Sequence, residues 1–272
     1  MDIKKALITL SIIVFFLIVD IYFEVSYPKI ENIVLKSKKL PKSKTLKILH
    51  ISDIHNMKLS RNIRRLLNDI KEMKPDIIAL TGDIIDGKTK DFKNIYRFIE
   101  ALVKINSNIY FVSGNHEWRN HKVEDFLKGL EGRKIKIINN SNEIITKHNF
   151  SINVCGIDDP YTSHDDLHKA FKSIENNSFT LLLSHSPNII FKKDNLPCDL
   201  IICGHTHGGQ IRLPFLGGII APGQGYFPKY DMGLYKLKSN TLLYINSGLG
   251  TSSLPIRFLN RSKVSFITLT GD

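Results

Sequence analysis

Two histidines stand two residues apart in the stretch from Leu200 to His207, directly after an apolar run. The apolar run predicts a buried strand, and Gly204 lets the backbone turn sharply where that strand ends. His205 and His207 are therefore expected on a loop at the carboxyl end of a strand, where α/β sheets bind their ligands. Neutral imidazole is the most common metal donor in proteins, so this loop suggests a metal site. A surface turn that carries two histidines is the alternative, and other parts of the chain must decide.

Four other apolar runs end in the same way, with a polar side chain just beyond the predicted strand. The side chains are Asp53 and His55 after residues 46–51, Asp83 after 76–80, Asn115 and His116 after 109–112, and His185 after 179–183. The first three of these runs are separated by segments in which apolar residues recur at helical spacing, a pattern typical of a parallel sheet with right-handed crossovers. Each side chain could be an ordinary turn residue by itself. The joint occurrence of such side chains at the first three strand ends favours one shared site at one edge of the sheet, and His185 is placed after its strand in the same way.

These side chains offer carboxylate, amide and imidazole donors and no thiolate. Such a set suits divalent ions of borderline to hard character, such as Mn²⁺, Fe²⁺ or Zn²⁺. Two ions of this kind about 3.5–4 Å apart can lower the pKa of a shared water, hold a phosphoryl oxygen and stabilise the charge that develops. The residue types are therefore compatible with metal-assisted hydrolysis of a phosphoester.

Together the motifs resemble the signature of calcineurin-like metallophosphoesterases, which reads D-x-H, G-D, G-N-H-[DE], a lone H and G-H-x-H, each after a strand. In this chain the motifs are Asp53-Ile54-His55, Gly82-Asp83, Gly114-Asn115-His116-Glu117, His185 and Gly204-His205-Thr206-His207. The match runs from about residue 46 to the carboxyl end, and five motifs in the right order make it specific. The resemblance implies an α/β protein, a four-layer α/β/β/α sandwich of two mixed sheets, with two divalent metal ions (Mn, Fe or Zn). It also implies in-line attack by metal-activated water, without a covalent enzyme intermediate.

The resemblance further implies a role for each residue. One ion takes Asp53, His55, Asp83 and His207, and the other takes Asp83, Asn115, His185 and His205, so that the carboxylate of Asp83 bridges the two. His116 lies outside both sets and is the candidate general acid for the departing alcohol or phosphate. Glu117 is expected either to orient His116 or to have a structural role.

Later blocks of the chain are similar to a bacterial membrane-anchored subgroup of the family that includes UDP-2,3-diacylglucosamine pyrophosphatase-like phosphodiesterases. These blocks are residues 208–214, 248–252 and 255–257. Arg212 and Arg257 could bind a substrate phosphate through their forked donors, or each could fix a loop by donating to carbonyl oxygens. This similarity implies a phosphodiester or pyrophosphate substrate that is lipid-linked or part of the cell envelope.

The amino-terminal stretch predicts a membrane anchor. After two lysines, the residues from Ala6 to Val19 are apolar apart from two mildly polar positions, and the apolar character continues beyond Asp20. The length suits a signal peptide, but no A-x-A-like cleavage site follows. The predicted organisation is an uncleaved, single-pass cell-membrane anchor at 1–27, a basic linker at 28–45 and a metallophosphoesterase domain at 46–272. Lysines flank both ends of the apolar stretch, so the side of the membrane that the domain faces stays open.

The amino-acid composition restricts the classes of molecule that this protein is expected to bind. The formal net charge of +12 over 272 residues is compatible with nucleic acid, a membrane surface or an anionic substrate. The lysines are spread along the chain without the arginine and aromatic clusters of a nucleic-acid groove, so no nucleic-acid partner is expected. Three cysteines without C-x-x-C spacing indicate small core residues rather than a disulfide framework.

Three functions therefore compete. The favoured one is a membrane-anchored, metal-dependent phosphodiesterase or pyrophosphatase that acts on a phosphoester substrate. A non-catalytic scaffold of the same fold is the second, and the complete set of donors argues against it. A nuclease or nucleotide phosphodiesterase is the third, and the anchor argues against it. The natural substrate, the native metals and the oligomeric state stay open.

Overall fold

Two six-stranded sheets with helices on their outer faces make up the folded domain. The computed structural model describes residues 3–147, 149–193, 195–251 and 255–272. The helices are α1 (Ile3–Ser26), α2 (Arg61–Met73), α3 (Lys93–Ile105), α4 (Asn115–Trp118), α5 (Val123–Glu131), α6 (Leu167–Ala170) and α7 (Ile189–Lys192), and a 3-10 turn covers His207–Gly209. The strands are β1 (Lys29–Ser37), β2 (Thr45–Ile51), β3 (Ile77–Thr81), β4 (Ile109–Val112), β5 (Lys136–Ile137), β6 (Ser141–Lys147), β7 (Phe150–Gly156), β8 (Phe179–Leu183), β9 (Leu200–Cys203), β10 (Arg212–Leu213), β11 (Gly217–Gly218), β12 (Ile220–Ala221), β13 (Gly225–Tyr226), β14 (Gly233–Lys236), β15 (Leu242–Ile245) and β16 (Lys263–Gly271).

The first sheet has the spatial order β1-β16-β2-β3-β4-β5. Strands β2 to β5 run parallel to one another, and helices α2 and α3 connect the first three of them, as the sequence predicts. Strand β16 is antiparallel to β2 and parallel to β1, which makes the sheet mixed. The parallel arrangement brings the ends of β2, β3 and β4 to the same edge.

The second sheet has the spatial order β14-β15-β9-β8-β7-β6. Its four central strands are parallel, and the two outer strands, β14 and β6, are antiparallel to their neighbours. Two short antiparallel pairs, β10–β11 and β12–β13, lie between β9 and β14 in the sequence. The prediction of two mixed sheets is confirmed.

Alternate residues of the central strands pack into different layers. Ile51 of β2 packs against the helices that cover the first sheet, whereas Ile48 faces the second sheet. In β9, Ile202 faces the first sheet and Ile201 packs outward, in the cluster that includes helix residues of α6 and α7. This two-residue alternation, with both faces of each sheet covered, produces the predicted α/β/β/α layers. The outer cluster of the second sheet also contains all three cysteines, which are buried and free, as the sequence predicts.

Part of the segment expected to be a basic linker is instead a strand of the first sheet. Residues 29–37 form β1, which pairs with β16 from Lys29↔Lys263 to Ser37↔Gly271. The carboxylate of Glu31 in β1 lies 2.7 Å from the ammonium of Lys263, whose side chain is only 3% exposed. Only Leu35 is fully buried in β1, because the strand lies at the sheet edge. Its apolar periodicity is therefore weak, and its partner strand lies at the far end of the chain.

Helix α1 has no buried residue among those described, and hydrogen bonds join its last turn to the domain. By length and composition it could cross a membrane, and a signal sequence near an amino terminus has the same properties. The side-chain amide of Asn62 donates to the carbonyl oxygen of Ser26 at 2.8 Å, and the backbone N–H of Ser262 donates to that of Glu24 at 2.9 Å. The guanidinium of Arg261 lies 4.6 Å from the ring centre of Phe23. The carboxyl end of α1 is thus fixed to the domain.

Candidate metal centre

The predicted donors converge where the strand ends of the two sheets meet. Three groups offer donor atoms within 4.8 Å of one another: Asp53, His55 and His207; His55, Asp83 and His116; and Asp83, His185 and His205. Asn115 joins the third group, since its Oδ1 lies 3.2 Å from Nε2 of His185. The shared members, His55 and Asp83, make the three groups one continuous cluster. The structure therefore brings together all seven predicted metal donors and His116.

His55 and His207 point their Nε2 atoms at each other. The two nitrogens are 3.1 Å apart, and Nε2 of His207 lies 3.4 Å from Oδ1 of Asp53. Nε2 of His55 is 3.9 Å from Oδ2 of Asp83. Donor atoms that bind one ion at about 2.0–2.2 Å lie about 3 Å from one another, so this group has the spacing of a metal site.

His185 and His205 form a second pair of the same kind. Nε2 of His185 lies 3.0 Å from Nδ1 of His205 and 3.3 Å from Oδ2 of Asp83. Nε2 of His205 is buried and has no hydrogen-bond partner. His205 and His207 thus face different partners, as their placement on an irregular loop allows, and Asp83 is close to both pairs.

Hydrogen bonds on the far side of two rings set which nitrogen faces the cluster. Nδ1 of His185 lies 2.9 Å from the carbonyl oxygen of Thr81, and because a carbonyl only accepts, this nitrogen carries the proton. Nδ1 of His55 lies 2.7 Å from Oδ1 of Asp86 in the same way. Both rings therefore direct Nε2 at the cluster, and a partner on the other nitrogen is the usual arrangement around metal-bound histidine.

The backbone is strained at most of the candidate ligands. Left-handed conformations occur at Asp53 (φ 52°), His55 (φ 50°), Asp83 (φ 50°), His205 (φ 72°) and His207 (φ 49°). Such a conformation costs a non-glycine residue about 1–3 kcal/mol, and it persists where the surrounding structure holds the side chain in a required place. Five of the seven predicted metal donors share this strain, which supports a functional rather than an incidental cluster.

Gly204 allows the histidine loop to approach Asp53. A Cβ atom at this position would lie 1.8 Å from Oγ of Ser52 and 2.1 Å from Oδ2 of Asp53, closer than any side chain can come. The backbone N–H of His205 contacts both carboxylate oxygens of Asp53, at 3.1 and 3.0 Å. Only glycine therefore fits between β9 and the loop that carries the two histidines.

Burial and neighbouring charges set the protonation of the cluster. Burial, reinforced by the nearby imidazoles of His185 and His55, lowers the pKa of His205 and of His207 well below the usual value. Burial alone would raise the pKa of Asp83, but the charge and hydrogen bond of His185, together with the charges of His55 and His116, outweigh it and lower that pKa. Burial alone would lower the pKa of His185, but the charges of Asp83 and Asp53 and the hydrogen bond to Asp83 raise it well above the usual value. Neutral imidazole and ionised carboxylate are the forms that bind metal, and a divalent cation would displace the proton from His185.

His116 borders the cluster and is partly open to solvent. Its side chain is 20% exposed, whereas that of His55 is 1% exposed. Nε2 of His116 lies 4.0 Å from Oδ2 of Asp83, and its backbone N–H donates to Oδ1 of Asp83 at 2.8 Å. Burial lowers the pKa of the His116 ring. The ring is placed to reach a bound substrate, and its role as general acid stays a prediction.

Glu117 fixes backbone rather than the His116 ring. Its carboxylate accepts hydrogen bonds from the backbone N–H groups of Asp83, Ile84, Ile85 and Gly114, at 2.8, 2.7, 3.1 and 2.7 Å. Burial and then the charge of Asp83 raise the pKa of Glu117 to about 7, against the effect of these amide donors. Of the two roles left open by the sequence, the structure favours the structural one, because Glu117 ties the loop after β3 to the loop after β4.

The substrate role expected for Arg257 does not fit its position. The residue is only 1% exposed, and its guanidinium donates to the carbonyl oxygens of Ser247, Gly248, Gly250 and Asn260. Arg257 therefore holds the loops behind Asp53, the alternative that its forked donors also allow. In the similar block at 248–252, Ser252 lies outside the described residues.

Arg212 also forms its hydrogen bonds within the loop region that carries it. Its Nη1 donates to the carbonyl oxygen of Gly208 at 2.8 Å and to Oδ2 of Asp231 at 2.7 Å. The side chain of Arg212 is 18% exposed, more than that of Arg257. A contact between Arg212 and substrate therefore stays a prediction.

Nothing in the sequence singled out Asp86. Its carboxylate lies 2.7 Å from Nδ1 of His55 and 3.7 Å from Nδ1 of His116, so it contacts a candidate ligand and approaches the candidate acid. Asp86 follows the G-D motif by three residues and belongs to no block of the signature. The one signal available was the Asp86-Gly87 pair, which predicts a turn and places the carboxylate near the end of β3.

Comparison with known proteins agrees with this geometry. The family model for calcineurin-like phosphoesterases matches residues 46–209. Over 81% of its length the chain is 31% identical to the metallophosphoesterase YkuE of Bacillus subtilis (strain 168), of which it covers 76%. A transmembrane protein with a metallophosphoesterase domain from Danio rerio is 26% identical over 89% of the chain, which covers 57% of that protein.

Among solved structures, the NAD nucleotidase NadN of Haemophilus influenzae shares the fold. Its TM-score is 0.52 at 19% identity, over 77% of this chain and 46% of NadN. The extent of the family match, the relatives and the clustered histidines and aspartates together define the class of the protein. The chain belongs to the calcineurin-like phosphoesterase family and is a phosphoric ester hydrolase with residues that could hold metal.

Proposed function

We propose that this protein is a membrane-anchored, binuclear-metal-dependent phosphoesterase that cleaves a phosphodiester or pyrophosphate bond. The observation that carries the proposal is the pair of facing imidazoles on each side of Asp83, His55 with His207 and His185 with His205. Two such pairs around one carboxylate have the arrangement of two adjacent metal sites that share a bridging ligand. A scaffold without activity would not need all these donors in strained positions.

Each residue has a defined task in this proposal. One ion would be held by Asp53, His55, Asp83 and His207, and the other by Asp83, Asn115, His185 and His205. When bound, the two divalent ions would lower the pKa of an attacking water and offset the negative charge on the phosphoryl group. Asp86 and the carbonyl of Thr81 keep His55 and His185 in the tautomer that binds through Nε2. His116, at the solvent side, donates a proton to the departing oxygen.

The proposed substrate is lipid-linked or part of the cell envelope. Support comes from α1, which is long and apolar enough to cross a membrane and is fixed by its last turn to the domain. One relative is named as a transmembrane protein with the same type of domain. An enzyme held at the membrane meets amphiphilic phosphoesters at high local concentration, whereas soluble ones reach it only from solution.

The test is hydrolysis of bis-p-nitrophenyl phosphate by the purified full chain, with Mn²⁺, Fe²⁺ or Zn²⁺ added in turn. Asp83→Ala removes the bridging carboxylate and is expected to abolish metal-dependent turnover. His116→Ala is expected to keep the metal ions, measured by elemental analysis, and to lose most of the turnover. Retained activity in Asp83→Ala would overturn the binuclear assignment. A subsequent screen of phosphomonoesters, cyclic nucleotides, phospholipids and UDP-sugar lipids would define the substrate.

A further inference from the structure

A groove of about 730 Å³ runs from the end of α1 to the loop that carries the candidate metal ligand His55. Tyr22 and Val25 of α1 line one end of the groove, and the metal-ligand candidate His55 lines it from within the domain. The volume lies in the range of small-molecule sites, which is about 300–1,000 Å³. The side chain of His55 is only 1% exposed and turns toward His207, so the groove reaches the loop that carries this candidate ligand.

Apolar side chains lie at or directly beneath the groove between these two ends. Ile54 and Leu249 belong to the buried core beneath the groove, and Met57 packs partly buried against the same core. The exposed Lys58 adds a positive charge at the groove. An apolar wall with a nearby cation suits a ligand that has a hydrocarbon tail and an anionic group.

The position of α1 at the groove is fixed by several contacts. Asn62 and Ser262 hold the last turn of α1 by hydrogen bonds to carbonyl oxygens, and Arg261 packs on Phe23. Glu24 also accepts a hydrogen bond from the backbone N–H of Asn260. The helix that would enter the bilayer therefore forms a wall of the groove, so that the groove opens at the level of the membrane surface.

We infer that this groove binds the hydrocarbon tail of an amphiphilic phosphoester, with the tail along Val25 and Met57 and the phosphoryl group directed past the His55 loop toward the metal centre. The occupant is a lipid because one wall of the groove is the membrane-length helix itself. The inference rests on the proposed function and specifies its substrate class, since it assigns a binding site to the part of the substrate that does not react. Binding energy from such a remote part raises kcat/KM for substrates with tails.

The first test measures kcat/KM of the full chain in lipid nanodiscs for methyl, butyl and octyl p-nitrophenyl phosphate, which share one leaving group. Each methylene that leaves water can add about fourfold in affinity, so kcat/KM is expected to rise on the order of tenfold or more from methyl to octyl. Met57→Gln and Val25→Trp are expected to reduce the octyl-to-methyl ratio at least threefold, because one makes the wall polar and the other fills the space.

Matched controls separate the groove from partition of the octyl ester into the bilayer. Leu59→Gln alters a residue that packs against the same core but does not line the groove, and Val19→Trp makes the same change elsewhere on α1. Both are expected to keep the wild-type ratio. A flat series in the wild type, or equal ratios in groove and control variants, would overturn the inference.

A second measurement does not depend on turnover. Octyl phosphate with a diazirine at the end of its tail is photolysed with the full chain, and the labelled peptides are identified by mass spectrometry. Label on the peptides that contain Val25 or Met57 is the expected result, and label only elsewhere contradicts the groove. If no ester is hydrolysed at all, the proposed function fails, while the labelling still decides whether the groove binds the tail.

Discussion

The carboxylate of Asp86 lies 2.7 Å from Nδ1 of His55, on the side of the ring that faces away from the other donors. Carboxylate partners of this kind orient a metal-bound imidazole and make it a stronger donor, and their removal typically costs about 10–100-fold in metal affinity or activity. Asp86 is therefore a positioning residue in this account, even though it belongs to no motif.

We expect Asp86→Ala to weaken metal binding by about 10–100-fold, measured by calorimetric titration of metal-free protein. Asp86→Asn keeps an oxygen that accepts from His55 and is expected to have a smaller effect. The exposed Glu72 gives a matched control, since it lies at the end of α2 that leads into the start of β3, whereas the cluster follows the ends of the strands. Equal affinity in the Asp86→Ala variant and the control would remove Asp86 from the site.

Glu117 is predicted to contribute mainly to the free energy of unfolding rather than to catalysis. Its carboxylate is the partner of four buried backbone N–H groups, and each unsatisfied group costs about 1–3 kcal/mol. Glu117→Ala should lower the free energy of unfolding by on the order of 4 kcal/mol or more. Glu117→Gln should cost less, because Oε1 can still accept from Ile84 and Ile85.

Urea unfolding of the metal-free variants of Glu117 gives these free energies without a contribution from bound metal. A loss below about 1 kcal/mol in the Ala variant would mean that water or another group satisfies the four amides.

Asp158 should make stability depend on pH. Its Oδ1 accepts hydrogen bonds from the Trp118 indole and from the backbone N–H of Asp159, both at 2.7 Å, and burial raises the pKa of Asp158 to about 6 from a usual 3.8. The folded state therefore binds this proton more tightly than the unfolded state. Between about pH 4 and pH 6 the unfolded chain loses the proton first, so stability falls as pH rises and is level above that range.

Asp158→Asn should remove this dependence while it keeps an acceptor for the Trp118 indole. The free energy of unfolding of the variant minus that of the wild type is expected to grow by about 2–3 kcal/mol from pH 4 to pH 7. Chemical unfolding of both proteins at each pH measures the difference. A difference that does not change with pH would show that Asp158 stays ionised in the folded protein.

Strand β1 is predicted to be an essential part of the domain. A chain that starts at residue 28 keeps the pairing of β1 with β16 and the contact between Glu31 and Lys263, whereas a chain that starts at residue 45 loses both. We expect the shorter chain to melt lower by on the order of 10 °C, because it also loses the buried Leu35. Both chains lack α1, so membrane association by this helix does not affect the comparison of their melting temperatures. Equal melting temperatures would mean that residues 29–37 contribute nothing to the fold.

Much of the fold and of the candidate site followed from local patterns. The ends of β2, β3 and β9 could be located because an apolar run stops at a polar residue or a glycine. Parallel pairing then brings Asp53 and Asp83 to one edge of the first sheet, whereas His205 follows a strand of the second sheet. Burial on both faces makes such strands continuously apolar and easy to recognise.

Other parts of the structure depend on long-range pairing that local patterns do not contain. Strand β1 pairs with β16 at the other end of the chain and has polar residues on its exposed positions. Glu117 accepts from backbone groups 32–34 residues away, and Arg257 donates to carbonyl oxygens of irregular loops 3–10 residues away. Residue type alone therefore left an orienting role open for Glu117 and a substrate role open for Arg257. Asp86 acts through His55, and its residue type does not distinguish it from other turn residues.

The central claim is that this chain binds two metal ions that share Asp83. Its most direct test is a titration of the metal-free full chain with Mn²⁺, followed by elemental analysis and electron paramagnetic resonance. The account predicts two ions per chain and the spectrum of an exchange-coupled pair, and it predicts that Asp83→Ala loses the coupling. One ion per chain, none, or two ions without coupling in the wild type would contradict it.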